Sequence, residues 1–330
     1  MAPKRKGVSP GKKRTVKPKT TSDATVNRAA EWRKSITSTS HLEQLVVDGI
    51  LPDQETAKWR SAFGESFPTP NSTDLVVFAS FLLRGFGVPA HPFLRGLLHF
   101  YGISLCALNS NSILHISIFI NLCEAYLGIE PHFNLFRYLF LLKPHPSTER
   151  PHVVRGAGFQ LREGRGQEYF EIPFPTTNKG WQSEWLYIGN HSPAISTEID
   201  SRPVPSESWS SLPKDNEMDQ VRELLGFIAK QKSRGLSAVG VAVNFVLCRI
   251  QPLKQRAHPA YEYYAEGDNT REAPERVDKS QAAARIAKFF AAGTPLRTSD
   301  GPQAYNLSNP CPEVINRFVA VCVFNSTHWV

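Results

Sequence analysis

Cysteine is scarce in this chain: five in 330 residues, at positions 106, 123, 248, 311 and 322. No two stand at a C-x2–4-C spacing, which excludes a zinc knuckle or ribbon. An odd, scattered set reads as free and mostly buried thiols in a reducing compartment. Also missing is an apolar run long enough to cross a bilayer. The most apolar stretch, 113–129, is broken by His115, Asn121 and Glu124. No apolar h-region follows the charged N-terminus, so no secretory signal is read, and the chain is expected to be soluble and intracellular. There is no Walker loop, no H-E-x-x-H helix and no long internal repeat.

Acidic residues are absent from the first 22 positions, where Lys4, Arg5, Lys6, Lys12, Lys13, Arg14, Lys17 and Lys19 stand. The chain holds 38 Lys+Arg against 30 Asp+Glu, a net charge of +8, so these eight cations account for all of it. A neutral body with a basic arm points to a polyanionic partner or an import receptor. The expected partners are DNA or RNA, held non-specifically through residues 1–20, or an importin, and the expected localisation is nuclear. The two clusters at 4–6 and 12–14 are closer together than the usual bipartite import spacing, but either can serve alone. Ser9-Pro10-Gly11-Lys12 resembles the S-P-x-K/R repeats of basic chromatin tails, and phosphorylation of Ser9 would remove nearly two charges. The bland alternative is a tail that only solubilises.

Hydrophobic residues make up 41% of the chain and charged ones 21%, ordinary globular usage, while 25 prolines imply long connections. Residues 1–38 cannot bury enough surface to offset their ordering entropy and are expected to be disordered, with at most a frayed helix at 29–36. Ser40 and Glu43 fit a capping box that opens the first helix. Further helices are expected from Ser72 or Thr73 to Gly85 (with a strand-like first turn at 75–78), at 92–101, at 112–127 and at 133–142. Residues 159–162 and 169–172 read as a hairpin, and 181–188 as a third strand. Helices are expected again at 217–234, 237–250 and 280–290.

The resulting fold class is α+β: a mainly helical bundle, a small antiparallel β-sheet and a C-terminal helical hairpin. The expected domains are a disordered basic arm (1–38), a main domain (39–192), a Pro/Ser linker (193–215), a helical segment packing on the main domain (216–292) and an irregular C-terminus (293–330). The apolar stretch 313–330 stops abruptly and reads as a truncated or mis-spliced end.

Candidates for chemistry are few. His115 shares a helical face with Phe119, Leu122 and Tyr126 and reads as a core histidine. Ser117, Asn121 and Glu124 share one stripe, which reads as a hydrogen-bonded polar seam between helices rather than as a catalytic acid. Trp181, Trp185, Tyr187, Tyr169 and Phe170, with Arg155, Arg162 and Arg165, form either a base-stacking platform or, more simply, core. No catalytic residue, metal ligand or cofactor site is assigned.

Several blocks resemble the plant gypsy-type transposon (transposase) domain. They are His41 through Pro52; Pro92 through Phe133; Gly180 through Ile188; and Arg249 through Arg256 with Gly267 through Arg271. The resemblance covers about 40–275, with 92–142 its most specific part. The family usually has Pro, Trp and Arg where this chain has Ser110, Phe136 and Cys248. The resemblance implies origin in, or domestication from, a retroelement reading frame, with no demonstrated activity. The Y-x-D-D and D-[ST]-G marks of a gypsy polymerase and protease are absent. The leading expectation is a non-enzymatic, gag-like or accessory structural protein with a basic arm. The alternatives are a divergent metal-dependent strand-transfer enzyme, needing converging carboxylates, and a protein–protein module whose arm only solubilises it.

Overall fold

The computed structural model describes residues 31–87, 90–145, 151–171, 180–190 and 195–245. Among these residues the chain forms, in order, α1 (Thr39–Val47), α2 (Gln54–Ala57), β1 (Asp74–Phe78), α3 (Ala79–Leu82), α4 (Pro92–Tyr101), α5 (Ser110–Asn121), α6 (Phe133–Leu139), β2 (Phe140–Pro144), β3 (Ala157–Leu161), β4 (Trp185–Gly189), α7 (Met218–Ser233) and α8 (Ala238–Phe245). The class is α+β, with two separate antiparallel ladders, β1 with β4 and β2 with β3.

α5 is the axis. Asn109 caps it, its Oδ1 accepting from the Ser112 amide at 2.8 Å. Ile113, Leu114, Ile116, Ile118, Phe119 and Ile120 are all buried, because a helix apolar on most faces has no side to turn to water. α3, β3 and α8 lie against it. The helix continues as a π turn (Leu122–Leu127) and stops at Gly128, whose φ of +65° suits glycine. Beside it the Phe136 ring stacks on Phe140 at 4.7 Å and meets Phe93, Phe119 and Phe159 edge-on. Ser110 is the first helical residue, a position that also accepts proline.

Several elements differ from expectation. The helix expected from 72 or 73 begins only at Ala79; Leu75, Val76, Val77 and Phe78 are strand, paired with Trp185 to Ile188 and buried throughout. A strand covered on both faces shows no alternation, so its apolar run is easily misread as a helix turn. α6 ends at Leu139, and Phe140 to Leu142, a short apolar run directly after a helix, are strand. β3 pairs with β2 rather than with 169–172, and the third strand pairs with β1. α1 is capped by Ser38, not Ser40, with the His41 amide donating to Ser38 Oγ at 3.2 Å. The 92–101 helix is as expected, as is the helix of α7 to within a residue. α7 packs on α6 and the π turn while α8 packs on α5, so the last two helices hold to the body more than to each other. The expected continuation of α8 to 250 and the helix at 280–290 lie outside the described residues.

Residues 31–38, expected inside the disordered arm, are an extended segment built into the body. The Trp32 ring lies parallel to Phe78 at 5.8 Å and edge-on to Trp185, and its Nε1 donates to the Ile199 carbonyl at 3.0 Å. Ser35 Oγ donates to the Trp185 carbonyl at 2.7 Å, and Trp185 Nε1 donates to the Arg33 carbonyl at 2.8 Å. Glu31 accepts from the Val153 amide at 2.6 Å and pairs with Arg202. The Pro/Ser stretch is also fastened along the body: Trp209 is buried, its Nε1 donating to the Tyr101 carbonyl at 3.3 Å. Trp32→Ala removes a buried indole and is expected to cost about 3–5 kcal/mol in urea denaturation. An unchanged midpoint would show that 31–38 is no part of the folded unit.

Candidate functional site

The polar stripe of α5 and its π turn is a seam in which each group holds a different neighbour. Ser117 Oγ donates to the Arg84 carbonyl at 2.7 Å, behind α3. Asn121 Nδ2 donates to Asn244 Oδ1 at 2.9 Å, on α8, with both residues buried. Glu124 Oε1 lies 3.2 Å from His91 Nε2. His91 is also the N-cap of α4: its Nδ1 accepts the Phe93 amide at 3.0 Å, which places the ring proton on Nε2, facing the carboxylate. His132 caps α6 in the same way, Nδ1 accepting from Leu135 at 3.1 Å and Nε2 facing Gln220 Oε1 of α7 at 3.2 Å. Gly85 sits at the crossing with φ +93°, and a Cβ there would come within 2.8 Å of the Phe245 ring and 3.0 Å of Ser117 Oγ. The seam was legible in the sequence at 117, 121 and 124. Its partners His91 and Asn244 were not, although Pro92 at the first helical position marks where α4 starts.

A cavity of about 730 Å³ opens beside β3. Its polar lining includes Asn109, His115, Gln160, Glu163, Gln167 and Glu171, with no Ser, Thr or Cys nucleophile among its lining residues. Arg162 also reaches it, but its guanidinium is taken up by the carbonyls of Arg137, Phe140 and Ser211 at 3.0–3.1 Å. The His115 ring stands 5.2 Å from Phe140, and enclosure by protein pushes its pKa down to about 4. Among the described residues no group of three His, Cys, Asp or Glu side chains is placed to hold a metal ion, and no helix is long and apolar enough to cross a membrane.

The aromatic residues considered for base stacking are core. Trp185 and Tyr187 are fully buried, and Trp181, Tyr169 and Phe170 nearly so, leaving no ring face for a base. Arg165 is bound to Tyr138 and Glu168. Cys106 and Cys123 are free buried thiols; burial pushes Cys106 up to about 11 and raises Cys123 as well. Lys4, Arg5, Lys6, Lys12, Lys13, Arg14, Lys17 and Lys19 lie outside the described residues.

Residues 76–144 match the family model described as "Putative gypsy type transposon". No curated protein and no solved structure matches the chain. The gypsy-type match runs from within β1 to the end of β2 and contains α5, Ser117, Asn121, Glu124 and both histidine caps. It stops short of β3, β4, α7 and α8, which complete the ladders and cover the seam.

Two outcomes follow from this geometry. Asn121→Leu leaves Asn244 without its partner and is expected to cost about 1–3 kcal/mol, part of which the Asn121→Leu/Asn244→Leu double variant recovers. Full additivity in that cycle would deny the coupling. His115 has a folded-state pKa below its unfolded value, so the unfolded chain takes up the proton first. Its contribution is present above about pH 6.5 and is lost as pH falls towards 4, by up to about 3 kcal/mol. His132 and His145 are displaced downward by burial in the same sense. His115→Phe is expected to flatten the stability profile between pH 6.5 and 4; an unchanged slope would contradict the assignment.

Proposed function

We propose that this chain is a non-enzymatic structural or interaction protein of retroelement origin, gag-like or accessory, which enters the nucleus and contacts nucleic acid non-specifically through its basic arm. The observation that carries the reading is the segregation of charge. Eight cations stand within residues 4–19 with no acid among them, while the remaining 311 residues carry 30 charges of each sign. Clustered cations of this kind neutralise phosphates and release counterions, and they match the ligand chemistry of import receptors. The gypsy-type match over 76–144 supports the retroelement origin. The engagement of Ser117, Asn121, His91 and Glu124 in inter-helix bonds supports a scaffold role for the body.

Binding to duplex and single-stranded DNA and RNA, measured over a salt series, tests the reading. Eight phosphate contacts imply a log–log salt slope of up to about −7 on duplex DNA and about −6 on single strands. Deleting residues 1–20 is expected to abolish this binding and nuclear accumulation. Unchanged affinity in the deletion would overturn the nucleic-acid role of the arm.

A further inference from the structure

The root of the arm carries two exposed cations and is fastened to a turn that carries an exposed aromatic. Along 31–38, Trp32, Ser35 and Thr37 are buried, whereas Arg33, Lys34 and Ile36 face solvent. This segment is fastened to the 61–65 turn. The Ser35 amide donates to the Glu65 carbonyl at 2.8 Å, the Gly64 amide donates to the Ser35 carbonyl at 2.9 Å, and Ser61 Oγ donates to the Thr37 carbonyl at 2.7 Å. The turn presents Phe63, 67% exposed, next to Gly64, whose φ is +85° and around whose α-carbon the space is open. Ile36 is 57% exposed. Five large apolar side chains of the described residues are exposed, and these two stand on hydrogen-bonded neighbouring segments. Arg33 and Lys34 form no ion pair among the described residues.

An exposed ring on a turn hydrogen-bonded to a segment that carries two exposed cations suits a base whose face is free. Single strands offer such faces, whereas a duplex keeps its bases stacked on one another. Lys19 lies 14 residues before Arg33, a stretch that spans up to about 50 Å when extended, so one strand can run from the arm to Phe63. We infer that Phe63, with Ile36 on the adjoining segment and Arg33 and Lys34 supplying phosphate contacts, is a base-stacking step for single-stranded DNA or RNA led in by the arm. The inference rests on the reading that the arm binds nucleic acid, and it adds a preference for single strands.

The test compares the full chain on an oligothymidylate of about 20 nucleotides and on a mixed-sequence duplex of the same length. Phe63→Ala is expected to lose about five- to a hundredfold on the single strand and to leave duplex affinity unchanged, with Phe63→Tyr restoring most of the loss. Arg33→Ala/Lys34→Ala is expected to make the single-strand salt slope shallower by about 1.4. Val47→Ala, at another exposed apolar position, is expected to change neither affinity. If Phe63→Ala leaves single-strand affinity intact while deletion of 1–20 abolishes it, the arm reading stands and the stacking step is overturned. Equal losses on both substrates overturn it too. If the full chain binds neither substrate, both readings fall.

Discussion

A helix with almost no polar face has to be enclosed, and α5 imposes that requirement on everything around it. Its burial brings α3, β3 and α8 into contact with it. Apolar contact alone is permissive about how neighbours dock. The polar groups of the stripe are not, because in a low-dielectric interior an unpaired donor or carboxylate is costly. Ser117 therefore sets the position of the Arg84 carbonyl, Asn121 that of α8, and Glu124 that of the α4 N-terminus through His91. Each bond joins the central helix to a segment distant in sequence, so the seam specifies which neighbour goes where.

The same bonds bear on chemistry. A part-buried His–Glu pair with its carboxylate on a π turn resembles an acid–base site, since π turns recur at functional positions. Here the histidine also caps a helix with its other nitrogen, and His132 repeats the arrangement two helices later. A ring held at both nitrogens is a joint between elements. The cavity beside β3 offers amides, carboxylates and a histidine held neutral by enclosure, but its one lining arginine is anchored to backbone carbonyls. The family match covers the central part of this framework, and the segments that close it lie beyond the match.

Much of the framework was legible in sequence, for identifiable reasons. α4 carries Pro92 at its start and Gly102, with φ +61°, at its end, and α5 with its π turn is a long, mainly apolar stretch bounded by Asn109 and Gly128. β1 and β2 were not legible as strands because each is a short apolar run adjoining a helix, where periods of 2 and 3.6 cannot be told apart. The anchoring of Trp32 was hidden by its surroundings: a segment rich in Lys, Ser and Thr gives no sign that one indole and two hydroxyls will be buried. Composition averages over a window, whereas packing acts on single residues. Phe63 was silent for the converse reason, because nothing in a sequence distinguishes an exposed phenylalanine from a buried one.

The account divides the chain into a closed scaffold and a charged lead that enters it at Glu31 and Trp32. The most direct test is a lysine acetylation footprint of the full chain with and without single-stranded nucleic acid. The account predicts protection at Lys4, Lys6, Lys12, Lys13, Lys17, Lys19 and Lys34, and none at the exposed Lys143, Lys214 and Lys230 of the body. Protection at those three lysines, with the N-terminal ones still reactive, would contradict it.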